Sequence, residues 1–194
     1  MRSAKVVRKT KETDINVQVN IDGTGRADAK TGIGFLDHML DSLATHSLVD
    51  VTVRATGDLR HHVVEDVAIT LGKAIGKALG DRAGIRRFGS AIVPMDDSLA
   101  LAAVDLVKRP YSAVDLKLQR VILEDAPRED LDHFFVSIAQ ALEATVHVKV
   151  LDGTNDHHKF EAAVKAFALA LKEAAARDPR RAKAKGPPSS KGSM

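Results

Sequence analysis

The chain has 194 residues, of which 44% are hydrophobic and 28% are charged, a composition typical of a globular protein with one large domain or two small ones. It has no cysteine, no signal-peptide core after Met1 and no apolar stretch approaching the roughly 20 residues that span a bilayer, so we exclude disulfides and expect a cytoplasmic protein without a membrane partner. Residues 177–194 carry a net charge of +5 and the rest of the chain −2, and a basic tail on a nearly neutral body argues against a nucleic-acid partner.

Hydrophobic periodicity predicts secondary structure in both halves of the chain. Alternation of apolar and polar residues predicts strands, and apolar residues three and four apart predict helices. In the first half the predicted elements are, in order, strands over residues 15–21 and 26–29, a helix around 36–43, a strand over 48–55 and a helix over 61–79. In the second half they are strands over residues 90–93, 99–106 and 113–118, a helix over 131–144, a strand over 145–151 and a helix from 157 to about 177.

Two sequence motifs occur once in each half. Leu-Asp-His occurs at residues 36–38 and again, 95 residues later, at 131–133. His-His-x-x-Glu occurs at residues 61–65 and again, 96 residues later, at 157–161. Because both motifs lie in the same predicted elements at nearly the same offset, we predict that a β-β-β-α-β-α unit is present twice.

This duplication predicts an α+β protein whose two halves pack as one unit. The seam is expected near residues 81–88, so the half-domains are residues 1–84 and residues 85–180. Residues 181–194 are then a basic C-terminal tail.

Each His-His-x-x-Glu motif lies in the first turn of a predicted helix. Positions three or four apart share a helix face, so His61 or His62 can act together with Glu65. The two adjacent histidines differ in direction by about 100°, which makes it hard for both to face one point. Each motif therefore favours two separate sites over one.

The duplicated motifs supply six histidines and two glutamates, which are ligands for a divalent transition metal. A single such histidine is more often solvated or structural, but a duplicated set favours metal binding. The candidate ligands are His38, His61, His62, Glu65, His133, His157, His158 and Glu161. One division, which leaves positions open for substrate at each ion, is His38, His62, Glu65 and His157 for one ion and His133, His158, Glu161 and His61 for the other.

Further short motifs accompany these ligands in a fixed order. They are Gly-Phe-Leu-Asp-His-Met-Leu at 34–40, His-His-x-x-Glu-Asp at 61–66, Arg-Phe-Gly at 87–89, Pro-Met-Asp at 94–96, Arg-Pro at 109–110, Asp-His-Phe at 132–134, His-His-x-x-Glu-Ala-x-x-Lys-Ala at 157–166 and Pro-Ser-Ser-Lys-Gly at 188–192. Over nearly the whole chain the sequence resembles the imidazoleglycerol-phosphate dehydratase family of histidine biosynthesis. Ser42 departs from the pattern, because the family often has glutamine there.

The resemblance implies elimination of water from D-erythro-imidazole glycerol phosphate, a small phosphorylated imidazole, to give imidazole acetol phosphate. A substrate imidazole held as imidazolate between two metal ions can serve as the electron sink for this step. The resemblance implies that the metal is Mn²⁺, with two ions per active site.

The resemblance also implies an architecture. We expect a ribosomal protein S5 domain 2-like fold, in which the helices of both halves pack between two four-stranded sheets. We expect a homo-oligomer of 24 subunits with active sites at subunit interfaces.

Residues outside the metal set also match the family. The resemblance implies catalytic roles for Glu12, as the base, and for Glu65 and Glu161. Forked guanidinium groups suit the substrate phosphate, which favours arginine among the substrate contacts. The implied substrate contacts are Glu12, His38, His46, Arg87, Arg109, Lys165, Ser189, Ser190 and Lys191.

Two other classes of function remain open from the residues alone. A non-catalytic metal-storage protein would use the same eight ligands, but it assigns no role to Arg87, Arg109 and Lys191. Nucleic-acid binding through residues 177–191 predicts an affinity that falls steeply with salt and survives chelation. Taken singly, Glu12 is a solvated charge at the end of a strand.

Overall fold

The structure, a computed structural model, describes residues 1–181, 183 and 188–190. Its strands are β1 (Ser3–Lys9), β2 (Thr13–Asn20), β3 (Ala27–Lys30), β4 (Asp50–Gly57), β5 (Phe88–Met95), β6 (Ser98–Asp105), β7 (Tyr111–Asp115), β8 (Ile122–Leu123), β9 (Ala126–Pro127) and β10 (Thr145–Asp152). Its helices are α1 (Gly34–Ser47), α2 (Arg60–Leu79), α3 (Arg128–Leu142) and α4 (Asp156–Ala175), followed by a 3₁₀ turn at Pro179–Arg181. Among the described residues, no helix combines the length and the apolar character needed to cross a lipid bilayer.

Two four-stranded sheets form from different halves of the chain, with strand orders β1-β2-β4-β3 and β5-β6-β10-β7. In each sheet the last strand of the order pairs parallel with its neighbour and the other pairs are antiparallel. Helices α1 and α2 pack on the first sheet, α3 and α4 pack on the second, and α1 contacts α4 while α2 contacts α3. The predicted α+β architecture, with a helix layer between two sheets, is confirmed.

Alternating burial explains why the strands form where the sequence predicts them. In β2, Ile15, Val17 and Val19 are buried against the helices, and the residues between them are at least partly exposed. Aromatic side chains fill the other side of the core, where the ring of Phe135 lies 5.7 Å from the rings of both Phe160 and Phe167. This packing connects α3, which carries Phe135, with α4, which carries Phe160 and Phe167.

Two of the boundaries that differ from the prediction have local reasons. Strand β4 begins at Asp50 rather than residue 48, because Leu48 adopts a left-handed conformation after α1. Helix α3 ends at Leu142, because Glu143 is also left-handed. Strand β1 and the hairpin of β8 and β9 were not predicted. The inward-facing residues of β1 include Arg8 as well as Val6, so its alternation is weak.

Two glycines one turn apart on α2 face α3 at different distances. A Cβ at Gly72 would lie 2.8 Å from the carbonyl oxygen of Ile138, whereas the nearest atom to a Cβ at Gly76 would be the carbonyl oxygen of Leu142 at 3.6 Å. We expect Gly72→Ala to lower the free energy of unfolding by about 1–3 kcal/mol through overpacking. Gly76→Ala should raise it by about 0.5–1 kcal/mol, because alanine loses less backbone entropy in a helix.

Denaturant unfolding of both variants measures these two free energies. Each substitution brings the same gain in helix propensity, so the difference between the variants reports the approach of α3 alone. Equal effects at both positions would show that the helices do not approach more closely at Gly72.

Candidate active site

The first turns of the four helices lie at one end of the helix layer. His38 in α1 lies beside His157 in α4, with ring centroids 6.0 Å apart, and His61 in α2 lies beside His133 in α3, with centroids 6.5 Å apart. Asp125 connects the two pairs of helices, because its carboxylate accepts hydrogen bonds from the first backbone N–H groups of α1 and its carbonyl oxygen accepts one from the first residue of α2. Each Leu-Asp-His histidine thus meets the His-His-x-x-Glu motif of the other half.

The first grouping, the His38 cluster, contains His38, His157 and Glu161. Their candidate ligand atoms all lie within 4.8 Å of one another. Oε2 of Glu161 is 3.4 Å from Nε2 of His157 and 3.6 Å from Nε2 of His38. Burial raises the pKa of Glu161, but the hydrogen bond and charge of Lys165, together with both imidazoles, outweigh this effect, and the pKa lies below its ordinary value. A charged carboxylate therefore faces two ring nitrogens at neutral pH.

The counterpart of the His38 cluster under the internal duplication consists of His61, His133 and Glu65, and we call it the His61 cluster. Glu65 lies one turn after His61 on α2, near enough for its charge to act on that imidazole. His61 and His133 are both exposed. The cluster is related to the His38 cluster by the internal duplication.

A carboxylate lies beside Nδ1 of both histidines in each His-His pair. The pairs are His61 with Asp130 at 2.5 Å, His62 with Asp58 at 2.7 Å, His157 with Glu124 at 3.2 Å and His158 with Asp97 at 2.6 Å. The hydrogen bond that Asp130 accepts raises the pKa of His61, and the one that Asp58 accepts raises the pKa of His62. When Nδ1–H donates a hydrogen bond to a carboxylate, the imidazole is fixed in the tautomer whose Nε2 is unprotonated and can bind a metal.

Sequence reasoning missed these four carboxylates. Asp58 stands four residues before His62, and that spacing is a usable signal on a helix start. Asp97, Glu124 and Asp130 are far from their histidines in the sequence, and no local pattern identifies them.

The adjacent histidines of each motif face different partners. Nδ1 of His62 lies 3.9 Å from Oε2 of Glu12, in addition to Asp58, and Nε2 of His158 lies 3.5 Å from Oδ2 of Asp96. This separation agrees with the angle of about 100° between neighbouring helix positions.

The predicted division of the ligands is wrong for a single chain. His38 and His157 meet Glu161, not His62 and Glu65. The reason is the helix packing, because α4 lies against α1 and brings Glu161, one turn after His157, into the same cluster.

Several predicted substrate contacts lie near the His38 cluster. Nζ of Lys165 is 2.8 Å from Oε1 of Glu161 and 3.2 Å from Sδ of Met95. His46 is two turns after His38 on α1, and burial, followed by the charge of Lys165, lowers the pKa of its imidazole.

Glu12, another predicted substrate contact, lies elsewhere. It is exposed and is beside His62, in the His-His-x-x-Glu motif at residues 61–65.

Arg87 and Arg109 lie at the opposite end of the helix layer. The backbone N–H of Arg87 donates to Ala174, which is 17 residues after His157 on α4, so the two ends are about 25 Å apart. The carbonyl oxygen of Arg109 accepts a hydrogen bond from Thr145, at the first residue of β10.

The guanidinium of Arg87 is held by two partners. Its Nε and Nη2 donate to Asp105 at 2.6 and 2.9 Å, and its Nη1 donates to the carbonyl oxygen of Pro188 at 2.9 Å. Pro188 in the C-terminal tail therefore lies against Arg87, with Ser189 and Ser190 directly after it in the sequence. Lys191 lies outside the described residues.

A buried ion pair joins the start of α4 to the loop after β7. Nζ of Lys159 is 2.9 Å from Oδ1 of Asp156, and each side chain is only 3% exposed. Lys159 also donates to the carbonyl oxygen of Lys117, and Asp156 accepts from the backbone N–H groups of Gln119 and Arg120. Burial raises the pKa of Asp156, but these N–H groups and Lys159 bring it below its ordinary value.

Comparisons with known proteins agree with the sequence and the fold. The family model for imidazoleglycerol-phosphate dehydratase matches residues 31–171. The chain is 55% identical over 176 residues to the imidazoleglycerol-phosphate dehydratase of Chlorobium luteolum, covering 89% of this chain and 88% of that protein. It is 49% identical over 197 residues to that of Dinoroseobacter shibae, covering 100% of both chains.

Two solved imidazoleglycerol-phosphate dehydratases have the same fold. The enzyme from Staphylococcus aureus superposes with a TM-score of 0.83 at 31% identity, over 91% of this chain and 99% of that one. The enzyme from Pyrococcus furiosus, solved in complex with (S)-C348, superposes with a TM-score of 0.82 at 39% identity, over 97% of this chain and 100% of that one. Sequence and structure together establish that the chain belongs to the imidazoleglycerol-phosphate dehydratase family, which are hydro-lyases of histidine biosynthesis.

Proposed function

We propose that this chain converts D-erythro-imidazole glycerol phosphate to imidazole acetol phosphate with two Mn²⁺ ions per active site. The observation that carries the proposal is the His38 cluster, in which one charged carboxylate faces two imidazole nitrogens. Three such donors fit a divalent transition metal and leave room for further ligands. When bound, the ions would stabilise negative charge on the substrate's imidazole ring, which would assist departure of the hydroxyl group from the carbon attached to the ring and loss of the proton from the next carbon.

The eight candidate ligands have distinct proposed roles. The His38 cluster and the His61 cluster would each hold one ion, with the carboxylate beside Nδ1 keeping Nε2 of His61 or His157 available. His62 and His158 have carboxylate partners different from those of His61 and His157, and we assign them to ions that neighbouring subunits share.

Glu12 is the proposed base. Its carboxylate is exposed and lies 3.9 Å from Nδ1 of His62. It can therefore reach a C–H bond of a substrate that is held beside that imidazole. Glu65 and Glu161 would contribute by holding negative charge against the proposed metal sites.

The position of the proposed phosphate contacts supports a site shared between copies of the chain. Arg87 lies about 25 Å along α4 from His157, and the three-carbon chain between the substrate's ring and phosphate cannot span that distance. Arg87, Arg109 and the tail serine residues would therefore serve a site whose ligands come from a neighbouring subunit. Lys165 and His46, beside the His38 cluster, would contact the substrate from the metal-binding side.

Exposed apolar side chains offer a surface for such a homo-oligomer. Phe88 and Ile92 on β5 and Tyr111 on β7 project from the outer face of the second sheet, and each is about 60% exposed. Exposed large apolar groups on one sheet face are typical of an interface between proteins. We propose that copies of the chain meet here, in an assembly of 24 subunits.

Metal removal and reloading test the proposed function. We expect the chelated protein to be inactive, and the protein reloaded with two Mn²⁺ ions per chain to form the ketone product, detected by its ultraviolet absorbance. Glu12→Gln should bind Mn²⁺ normally but lose about 10²- to 10⁴-fold in kcat, the usual contribution of a general base. Mn²⁺ binding without product would favour a storage protein, full activity after chelation would exclude a metal role, and normal turnover of Glu12→Gln would exclude that residue as the base.

A further inference from the structure

The two metal-ligand clusters differ at one pair of equivalent positions. The offset of 95 residues that relates the two Leu-Asp-His motifs also relates Phe35 to Asp130. Each of these residues precedes its motif and lies against the first histidine of the neighbouring helix. Oδ1 of Asp130 is 2.5 Å from Nδ1 of His61, whereas the ring centroid of Phe35 is 5.2 Å from that of His157. A hydrogen-bonding residue in one half is thus an apolar residue in the other.

Asp130 is placed to act on His61 strongly. It is 1% exposed and lies in the first turn of α3, where free N–H groups favour negative charge. Among the described residues, its other oxygen, Oδ2, has no hydrogen-bond partner. A buried carboxylate is unfavourable unless it is paired, and a charge-assisted hydrogen bond in a low-dielectric site is strong. Asp130 and His61 therefore hold each other in one geometry.

His157 has a weaker partner. Its Nδ1 is 3.2 Å from Oε1 of Glu124, whose side chain is 51% exposed. Glu124 lies in the turn between β8 and β9, and this hairpin follows β7, whereas in the first half only three residues separate β3 from α1. Exposed ion pairs of this kind contribute little, because water competes for both groups.

We propose that Asp130 is a positioning residue that makes the His61 cluster the tighter of the chain's two metal sites, so that the two ions bind in a fixed order with the His61 cluster filled first. This inference rests on the proposed function. An imidazole whose Nδ1–H is held by a buried carboxylate is already oriented and donates more electron density through Nε2. It also loses less conformational freedom when it binds, which favours affinity.

Titration of the metal-free chain with Mn²⁺ tests the proposal, with free aqueous Mn²⁺ followed by its paramagnetic resonance signal. The unmodified chain should show two classes of site with unequal affinity. Asp130→Leu, which copies the apolar character of Phe35, should weaken the tight class about 10- to 100-fold and bring the two classes together. Asp130→Asn keeps a hydrogen-bond acceptor without the charge, so it should give an intermediate affinity. Glu124→Gln is the matched control, and it should change only the weaker class.

The possible outcomes separate the two proposals. No Mn²⁺ binding by the unmodified chain contradicts the proposed function itself. Two sites of equal affinity, or a tight class unchanged in both Asp130 variants, overturn the positioning role while the proposed function stands. A purely structural role for Asp130 would weaken both classes together, and that result also overturns the proposal. Thermal unfolding of the metal-free variants shows whether each is folded. If Asp130→Leu does not fold, the Mn²⁺ affinity of Asp130→Asn alone shows whether the tight class of site depends on Asp130.

Discussion

Glu161→Gln is expected to lower kcat for dehydration at least about a hundredfold and to remove Mn²⁺ binding at the His38 cluster. The carboxylate is the only negative charge of that cluster, and it faces Nε2 of His38 and His157 at 3.6 and 3.4 Å. Changes to groups behind a metal ligand typically cost 10- to 100-fold in affinity or activity, so removal of a ligand's charge should cost more. Glutamine has nearly the same size and can still accept the hydrogen bond of Lys165, so the fold should be kept.

The matched control is Glu173→Gln on the same helix. Glu173 lies 12 residues further along α4, where its carboxylate is 3.4 Å from Nη1 of Arg86. We expect this variant to bind two Mn²⁺ ions per chain and to turn over normally. If Glu161→Gln also kept its metal stoichiometry and its rate, the His38 cluster would not be a metal site.

Lys159→Met is expected to lower the free energy of unfolding by about 3–5 kcal/mol, the usual effect of removing one partner of a buried ion pair. The substitution removes the partner of Asp156, whose side chain is only 3% exposed, and leaves it, among the described residues, only the backbone N–H groups of Gln119 and Arg120 as hydrogen-bond donors. It also leaves the carbonyl oxygen of Lys117 without the hydrogen bond from Nζ. Denaturant unfolding of the metal-free chain measures the loss.

Two further variants show whether the burial of the ion pair causes the loss of stability in Lys159→Met. Lys9→Met is the same substitution in an exposed ion pair, where Nζ lies 3.1 Å from Asp14, and it should change the free energy of unfolding by less than about 1 kcal/mol. The double variant Asp156→Asn with Lys159→Met removes the unpaired charge and should recover part of the stability. An equal decrease in the free energy of unfolding in Lys159→Met and Lys9→Met would show that burial does not make the Lys159–Asp156 pair more important than an exposed pair.

The sequence predicted most of the architecture because the fold depends on local periodicity and on the duplication. Alternation along β2 and helical spacing along α4 are visible in the letters, and the common offset of two motifs predicts the repeated unit. The weak alternation of β1 and the two-residue strands of the hairpin carry too little signal. Their positions depend on neighbouring strands rather than on their own residues.

The eight candidate ligand residues were named from the sequence, but the grouping proposed for them is not the one found within the chain. The grouping depends on which helix packs against which, and nothing in the local pattern of α4 says that α1 is its neighbour. The same holds for Asp97 and Glu124, which reach their histidines from distant loops. Asp130 is an intermediate case, since alignment of the two halves places it opposite Phe35 and so marks a departure from the internal symmetry.

The length of α4 has a genetic consequence if copies share sites as proposed. The helix carries a proposed metal ligand at its first turn, and its last turn lies beside a proposed phosphate contact, so one chain serves two different substrate molecules. A mutant allele damaged in Glu161 and another damaged in Arg87 would then encode chains that are each inactive alone. An oligomer that contains both kinds of chain would include some active sites in which Glu161 comes from one chain and Arg87 from the other, both unmutated. The two alleles would therefore complement each other.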